Sequence, residues 1–346
     1  MQEIITPLLG WFALNKRELP WRQDRQPYHV WVSEIMLQQT RIEAVKKYYA
    51  RFMEAVPDVR ALSEIGDDAL LKLWEGLGYY SRARNLKKAA VTVMEDYGGS
   101  FPRGFREIKA LAGIGDYTAG AIASICFNER VPAVDGNVLR VIARVTGSRE
   151  NVLLPEVKKR VTQQLSSIMP PQAGDFNEAL MELGELVCLP NGEPDCAACP
   201  LQPHCAAFRE GLTAELPVRI KKLRRGRAEK TVFLLTDVDG RIAIEKRAGQ
   251  GLLAGMYQLP NDDAYYSEGE IREILGSRGL SPVSVVFLGE AKHVFTHIDW
   301  FMKGYRVTVE NPCGRYLWAK DSELQTDYAL PTAFQKILKM DKSSGN

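Results

Sequence analysis

The chain has no apolar run approaching the about 18–20 residues that a membrane-spanning helix needs. It also lacks a strong charge of either sign. Its 45 Lys and Arg against 43 Asp and Glu leave a net +2 at pH 7, so bulk charge neither requires nor excludes a polyanionic partner. The opening residues, "MQEIITPLLGWFALNKRELPW", are mixed and amphipathic rather than basic-then-apolar, as a secretory leader would be. No internal repeat is visible. These absences favour a cytoplasmic protein with no membrane partner, and a monomer is expected. Cysteine is scarce and unevenly spread: Cys126 and Cys313 stand alone, whereas Cys188, Cys196, Cys199 and Cys205 fall within 18 residues. Such clustering points to metal ligation rather than disulfides. A single C-x-x-C with two outlying cysteines departs from the paired knuckles of most zinc sites, and zinc stays open on spacing alone.

What is present is an ordinary globular composition, 45% hydrophobic and 25% charged over 346 residues, a length that suits two domains. Residues 1–210 read as almost entirely helical. In "TRIEAVKKYYARF", Thr40 and Glu43 have capping-box spacing, and Ile42, Val45, Tyr49 and Phe52 form an apolar stripe. Ser81 is placed to cap "RARNLKKAAVTVMEDY", which Gly98-Gly99 stops, and Asp116 to cap the helix after "LAGIG". Residues 211–229 read as a basic linker containing "RIKKLRRGR", six basic residues in nine. Residues 230–346 turn β-rich: "TVFLLTDVDGRIAIEKR" is a hairpin around Asp239-Gly240, and "VSVVFLGE", "FMKGYRVTV" and "RYLWA" are further strands. The expected architecture is multidomain, an all-α domain followed by an α+β domain.

The stretch "ALAGIGDYTAGAIASI" breaks a helical pattern with Gly113 and Gly115. Glycines there allow a positive-φ turn and leave amides uncovered at the start of the next helix, a site suited to a DNA phosphate. Read alone, they are more simply a helix end followed by a helix start. Together with "VPAVDGNVLRVIAR" and the four close cysteines, however, this stretch resembles the helix-hairpin-helix DNA glycosylase superfamily. The segments "PWRQDRQPYHVWVSEIMLQQTRIEAV" and "GLGYYSRARNLKKAA" narrow the resemblance to the adenine DNA glycosylases, the MutY family, and "LPTAFQKIL" near the end is also similar. The resemblance implies an enzyme of base-excision repair. It would hydrolyse the N-glycosidic bond of adenine mispaired with 8-oxoguanine or guanine in duplex DNA, near the nucleoid if the cell is bacterial. A helix-hairpin-helix is expected near residues 104–127 and a 4Fe–4S cluster loop at 188–205, with Cys188, Cys196, Cys199 and Cys205 as ligands. The first gap, "LPNGEPD", holds seven residues where the family usually has six, so a bulged loop with ligation intact is expected.

Breaking an N-glycosidic bond calls for a proton on the leaving base and negative charge beside the cationic sugar. Glu34 is the candidate acid, because Val30, Trp31, Leu37 and Gln38 surround it at helical spacing and apolar surroundings raise a carboxyl pKa. By resemblance it protonates adenine N7; read alone, a glutamate in such a helix sits on a solvated face. Asp135 is the candidate ionised partner and, read alone, an ordinary helix cap. Asn137, by resemblance, orients the site. Tyr117 stands where lyases resembling endonuclease III carry a lysine that attacks the sugar. A phenol cannot form that imine, so a monofunctional enzyme using water is implied. Adenine must be flipped out of the stack. The resemblance nominates Gln39 and Tyr79 to enter the gap, with Leu37 close by and Arg22 near the pocket; Tyr79 and Tyr80 read alone are also good core aromatics.

The C-terminal region is similar to the nudix-related domain of the same family. "EIREILGSRG" keeps Arg272 and Glu273 of the nudix helix but has Gly276 and Ser277 where metal-binding glutamates belong, so recognition rather than hydrolysis is expected. "HVFTHIDW" resembles the loop that senses 8-oxoguanine, with Phe295, Thr296 and His297 where Phe-Ser-His is usual. The rival readings are a thymine glycosylase for G·T mismatches and a catalytically silent damage-binding protein.

Overall fold

The computed structural model describes residues 1–220 and 225–344. Residues 221–224 of the expected basic linker, within "RIKKLRRGR", lie outside the described residues. The chain falls into two compact units, Met1–Glu64 with Asn85–Lys221, and Ile65–Arg84 with Lys222–Asn346. The segment Ile65–Arg84, which the sequence places inside the helical domain, therefore groups with the C-terminal residues.

The first unit is helical. Its core joins Leu8 and Phe12 of the Ile5–Asn15 helix to Val138, Val141 and Ile142 of the Gly136–Thr146 helix and to Phe176, Leu180 and Leu183 of the Ala173–Leu186 helix. The Asp116–Phe127 helix runs through the interior on small residues, with Ala119, Gly120, Ala121, Ala123 and Ser124 all buried. The closeness is steric: a Cβ on Gly120 would lie 2.5 Å from the Pro132 carbonyl oxygen, and one on Gly174 2.7 Å from that of Ser124. Only Gly, Ala and Ser let three segments approach this closely, and the approach brings the residues before Asp135 against the helix that carries Tyr117.

Local caps depart from expectation in three places. The Ile42–Ala55 helix starts after Arg41, one residue beyond Thr40, and Glu43 pairs with Lys46 at 2.7 Å instead of closing a capping box. Ser81 is the first residue of the Ser81–Tyr97 helix rather than its cap. Gly115 occupies the cap position before Asp116, which turns outward to Lys109 at 2.5 Å. Of the hairpin glycines Gly113 has φ +75, whereas Gly115 lies at φ −94 in extended backbone. A Cβ on Gly113 would meet Asn85 Cβ at 2.5 Å, so turn geometry and close packing both demand glycine there.

The second unit carries a mixed sheet of seven strands among the described residues: β1 Gly226–Thr236, β2 Ile242–Lys246, β3 Tyr257–Gln258, β4 Asn261–Asp262, β5 Pro282–Val294, β6 Ile298–Val309 and β7 Leu317–Ala319. The order is β3-β2-β1-β6-β5, with β4 also on β1 and β7 on β2. The β1–β6 pair is parallel, whereas β1–β2 is the hairpin read around Asp239-Gly240. Alternation assigns the two faces. Val232 and Leu234 pack with Phe334 and Ile337 of the Thr332–Ser344 helix, while Phe233 and Leu235 pack with Ile271 and Leu275 of the Glu268–Ser277 helix. A helix thus covers each face of the sheet.

Candidate active site

A cavity of about 1280 Å³ in the first unit is lined by Glu34, Tyr117, Asp135 and Asn137, together with Arg22, Leu37, Gln39 and Gly115. Three helices supply its chemistry: Pro27–Leu37 brings Glu34, Asp116–Phe127 brings Tyr117, and Gly136–Thr146 is capped by Asp135. Residues separated by about a hundred positions in the chain therefore face one space.

Glu34 is 7% exposed, and the Tyr117 hydroxyl donates to its Oε2 at 2.6 Å. Burial pushes the Glu34 carboxyl up to about 7, against the phenol's hydrogen bond, and the nearby charges of Asp135 and Glu178 add to the rise. The same hydroxyl lies 3.1 Å from Met181 Sδ. Asp135 caps its helix, as the sequence read alone suggests, and it also borders the cavity. Its Oδ1 accepts from the Val138 amide at 2.8 Å and its Oδ2 from Asn137 Nδ2 at 2.9 Å. Burial raises its carboxyl as well, opposed by the Val138 and Asn137 amides and by Arg140. The Asn137 carboxamide is itself oriented, since its Oδ1 accepts from Arg140 Nη2 at 2.8 Å.

The sequence reading placed Arg22 near the pocket but missed the residues it pairs with along the same cavity. Arg17 and Arg22 both fork onto Glu182, with Nη2–Oε2 contacts of 2.8 and 3.0 Å, and Arg22 Nε reaches Glu178 Oε1 at 2.8 Å. Burial alone would raise Glu182, yet Arg17 and Arg22 hold its carboxyl at about 2. Arg25, at φ +50, pairs with Asp175 and with Glu178. The available signal was Asp175, Glu178, Glu182 and Glu185 along one face of the Ala173–Leu186 helix, a pattern that otherwise marks a solvated surface.

The residues nominated to enter the base stack share a backbone feature. Gln39 is exposed at φ +61, just past the end of the Pro27–Leu37 helix, and Tyr79 is 46% exposed at φ +47. Left-handed conformations at non-glycine residues persist only where the surroundings impose them. Leu37, at the helix end, is half-buried, and Tyr80 is buried. Within the second unit Phe295, Thr296 and His297 form the turn between β5 and β6. The Phe295 amide donates to the Ile298 carbonyl at 2.9 Å, and its ring packs on His293 and Trp300 at 4.6 and 4.8 Å. Thr296 and His297 are exposed, and Thr296 Oγ1 lies 3.0 Å from the Tyr79 hydroxyl.

Cys188, Cys196, Cys199 and Cys205 line one cavity of the first unit. Arg144 Nη1 donates to Cys188 Sγ at 3.2 Å, and Arg140 Nε to the Cys188 carbonyl at 2.7 Å. Four soft thiols beside a fixed guanidinium suit a group that leaves net negative charge on its ligands. Among the described residues no three His, Cys, Asp or Glu side chains are already gathered as a metal-binding group. The seven-residue gap is absorbed in exposed turns around Gly192 at φ +77, while the Asp195 amide still bonds the Val187 carbonyl at 3.0 Å. His204 faces Glu3 at 3.5 Å. No helix among the described residues is long and apolar enough to cross a membrane.

A helical fold with two carboxylates lining one cavity, followed by a helix-covered mixed sheet, defines a class: base-excision repair proteins with an appended nudix-like domain. Residues 32–171 match the family described as HhH-GPD superfamily base excision DNA repair protein, and residues 231–340 match NUDIX domain. An adenine DNA glycosylase of Buchnera aphidicola is 30% identical, covering 96% of this chain and 94% of its own length. One from Arabidopsis thaliana is 36% identical over 86% of this chain, which spans 56% of that relative's length. The solved structure of a thermostable thymine-DNA glycosylase superimposes with a TM-score of 0.55 at 29% identity, covering 60% of this chain and 97% of its own. The chain belongs to the adenine DNA glycosylase family.

Proposed function

We propose that the protein hydrolyses the N-glycosidic bond of adenine mispaired with 8-oxoguanine, and also with guanine, in duplex DNA, acting as a monomer and leaving the strand uncut. The observation that carries this reading is the burial of Glu34 in the cavity that Asp135 also lines, which raises its carboxyl to about 7 despite the 2.6 Å hydrogen bond from the Tyr117 hydroxyl. A carboxyl so placed keeps its proton near neutrality and serves as the acid that protonates the leaving adenine at N7. Asp135, receiving two N–H donors, supplies the negative charge that the oxocarbenium-like sugar needs. Asn137 fixes the direction of that carboxylate. Tyr117 orients Glu34 and offers no amine, so water completes the reaction.

In this reading Arg22 borders the pocket, Gly113 and Gly115 present hairpin amides to a phosphate, and Leu37, Gln39 and Tyr79 support the opened stack. Phe295, Thr296 and His297 face the 8-oxoguanine. Cys188, Cys196, Cys199 and Cys205 would hold a 4Fe–4S cluster. That cluster would cross-link the loop that follows the Ala173–Leu186 helix; no chemical step is assigned to it.

The test is base release from matched duplexes carrying A·8-oxoguanine, A·G and G·T. Free adenine is expected from the first two, with an intact abasic strand. Absence of adenine release, or release of thymine from G·T instead, would overturn the reading.

A further inference from the structure

Segment Ile65–Arg84 is held to the rest of the second unit by side chains on both sides of Tyr79. Upstream, Asp68 takes Lys246 Nζ at 2.6 Å, and Lys72 Nζ donates to the carbonyls of Leu324 and Tyr328 at 3.0 and 3.1 Å. Lys72 also pairs with Glu75 Oε2 at 2.7 Å. Glu75 Oε1 accepts from the Leu330 amide and from Gln335 Nε2, both at 2.9 Å. Downstream, Arg84 Nη1 donates to the Ala254 carbonyl at 2.7 Å.

Between these anchors the backbone takes three left-handed residues in four, Gly76 at φ +97, Gly78 at +70 and Tyr79 at +47. Such a turn keeps one shape only when its ends are fixed. The cavity it borders, about 610 Å³, has Gly76–Tyr80 on one wall, Pro331 and Thr332 on another, and Phe295–His297 on a third. Glu75 immediately precedes the first wall, and its carboxylate holds Leu330, which immediately precedes the second. The side chains of Lys72 and Glu75 are 17% and 16% exposed, so the pair is shielded from most screening by solvent.

We propose that Glu75, held in turn by Lys72, is a positioning residue for recognition of the base opposite adenine. It fixes the spacing between the Tyr79 turn and the Leu330–Thr332 wall, and thereby sets the preference for 8-oxoguanine over guanine. The inference rests on the reading above, that Tyr79 and Thr296 face that base. The two bases differ at N7, a donor in 8-oxoguanine and an acceptor in guanine, and at C8, which carries an extra carbonyl acceptor. Paired hydroxyls distinguish donor from acceptor only when held at hydrogen-bond distance and angle, which weaken steeply with displacement. Glu75 itself does not line the cavity, so its action passes through the walls it joins.

The test is single-turnover excision by the full chain on A·8-oxoguanine and A·G duplexes, at enzyme concentrations spanning half-saturation. Glu75→Ala is expected to lower the preference for A·8-oxoguanine by about tenfold, the loss of roughly one well-placed hydrogen bond. The effect should fall on half-saturation, with the maximal rate on A·G changed less than about threefold, the size of a modest structural perturbation. Glu75→Gln, which keeps an acceptor for Leu330 and Gln335, should restore most of the preference. Glu75→Ala combined with Thr296→Val should lose no more preference than Thr296→Val alone. Equal loss on both duplexes, or an unchanged ratio where Thr296→Val does lower it, overturns the proposal. If Glu75→Ala folds poorly, Gln335→Leu removes one arm of the clamp and must shift the ratio in the same direction; no shift is equally fatal. A wild-type protein without preference for A·8-oxoguanine overturns the underlying reading and the clamp with it.

Discussion

Glu34→Gln is expected to cut single-turnover adenine excision by about 10²–10⁴-fold, the span over which a positioned general acid acts. The substitution is nearly isosteric, and its carboxamide oxygen still accepts from the Tyr117 hydroxyl, now 2.6 Å from Glu34 Oε2. Folding and DNA binding should therefore survive while the transferable proton is lost. Rate measurement and duplex-binding titration on one preparation separate the two. Excision within about tenfold of wild type would remove Glu34 from the acid role, since general acid catalysis is worth more than that.

Asp135→Asn is the second large effect. An asparagine still accepts from the Val138 amide, so the helix cap is retained; only the bond from Asn137 Nδ2 to Oδ2 is lost, and the Tm should move little. The negative charge beside the developing cation disappears. The expected fall in excision is about 10²–10³-fold, the usual consequence of removing one preorganised electrostatic contact to a transition state. A fall of that size with an unchanged Tm supports the charge role, whereas a fall matched by an equal loss of stability would reduce Asp135 to a capping residue.

Much of this site was legible because its residues sit inside short, patterned stretches. The apolar neighbours of Glu34 at helical spacing foretold burial, and the residue is 7% exposed. Asp135 before "GNVLRVIAR" was readable as cap and as carboxylate, and the fold lets it be both. Other features depend on chain segments whose meeting no local pattern encodes. Arg17 and Arg22 reach Glu182 across some 160 residues, and that helix face looks solvated until its arginine partners are known. The grouping of Ile65–Arg84 with the C-terminal unit is accompanied by Lys72 and Glu75 bonding backbone groups at Leu324, Tyr328 and Leu330, contacts that carry no sequence signature. Short strands β3 and β4, two residues each, are too brief for alternation to show. Caps at Thr40, Ser81 and Asp116 missed by one residue, a shift set by how the chain enters each helix rather than by the capping residue itself.

The central claim is that two carboxylates in one cavity carry unequal proton affinity and that the protonated one is Glu34. The pH dependence of single-turnover excision on A·8-oxoguanine duplex, with enzyme saturating, tests it most directly. An acid must hold its proton to act, so with Glu34 raised to about 7 the rate should decline as pH rises through that value, from a maximum at mildly acidic pH where Asp135 is still ionised. The decline should approach tenfold per pH unit, as loss of a single proton requires. A rate that stays flat, or climbs, from mildly acidic to alkaline pH would contradict the account.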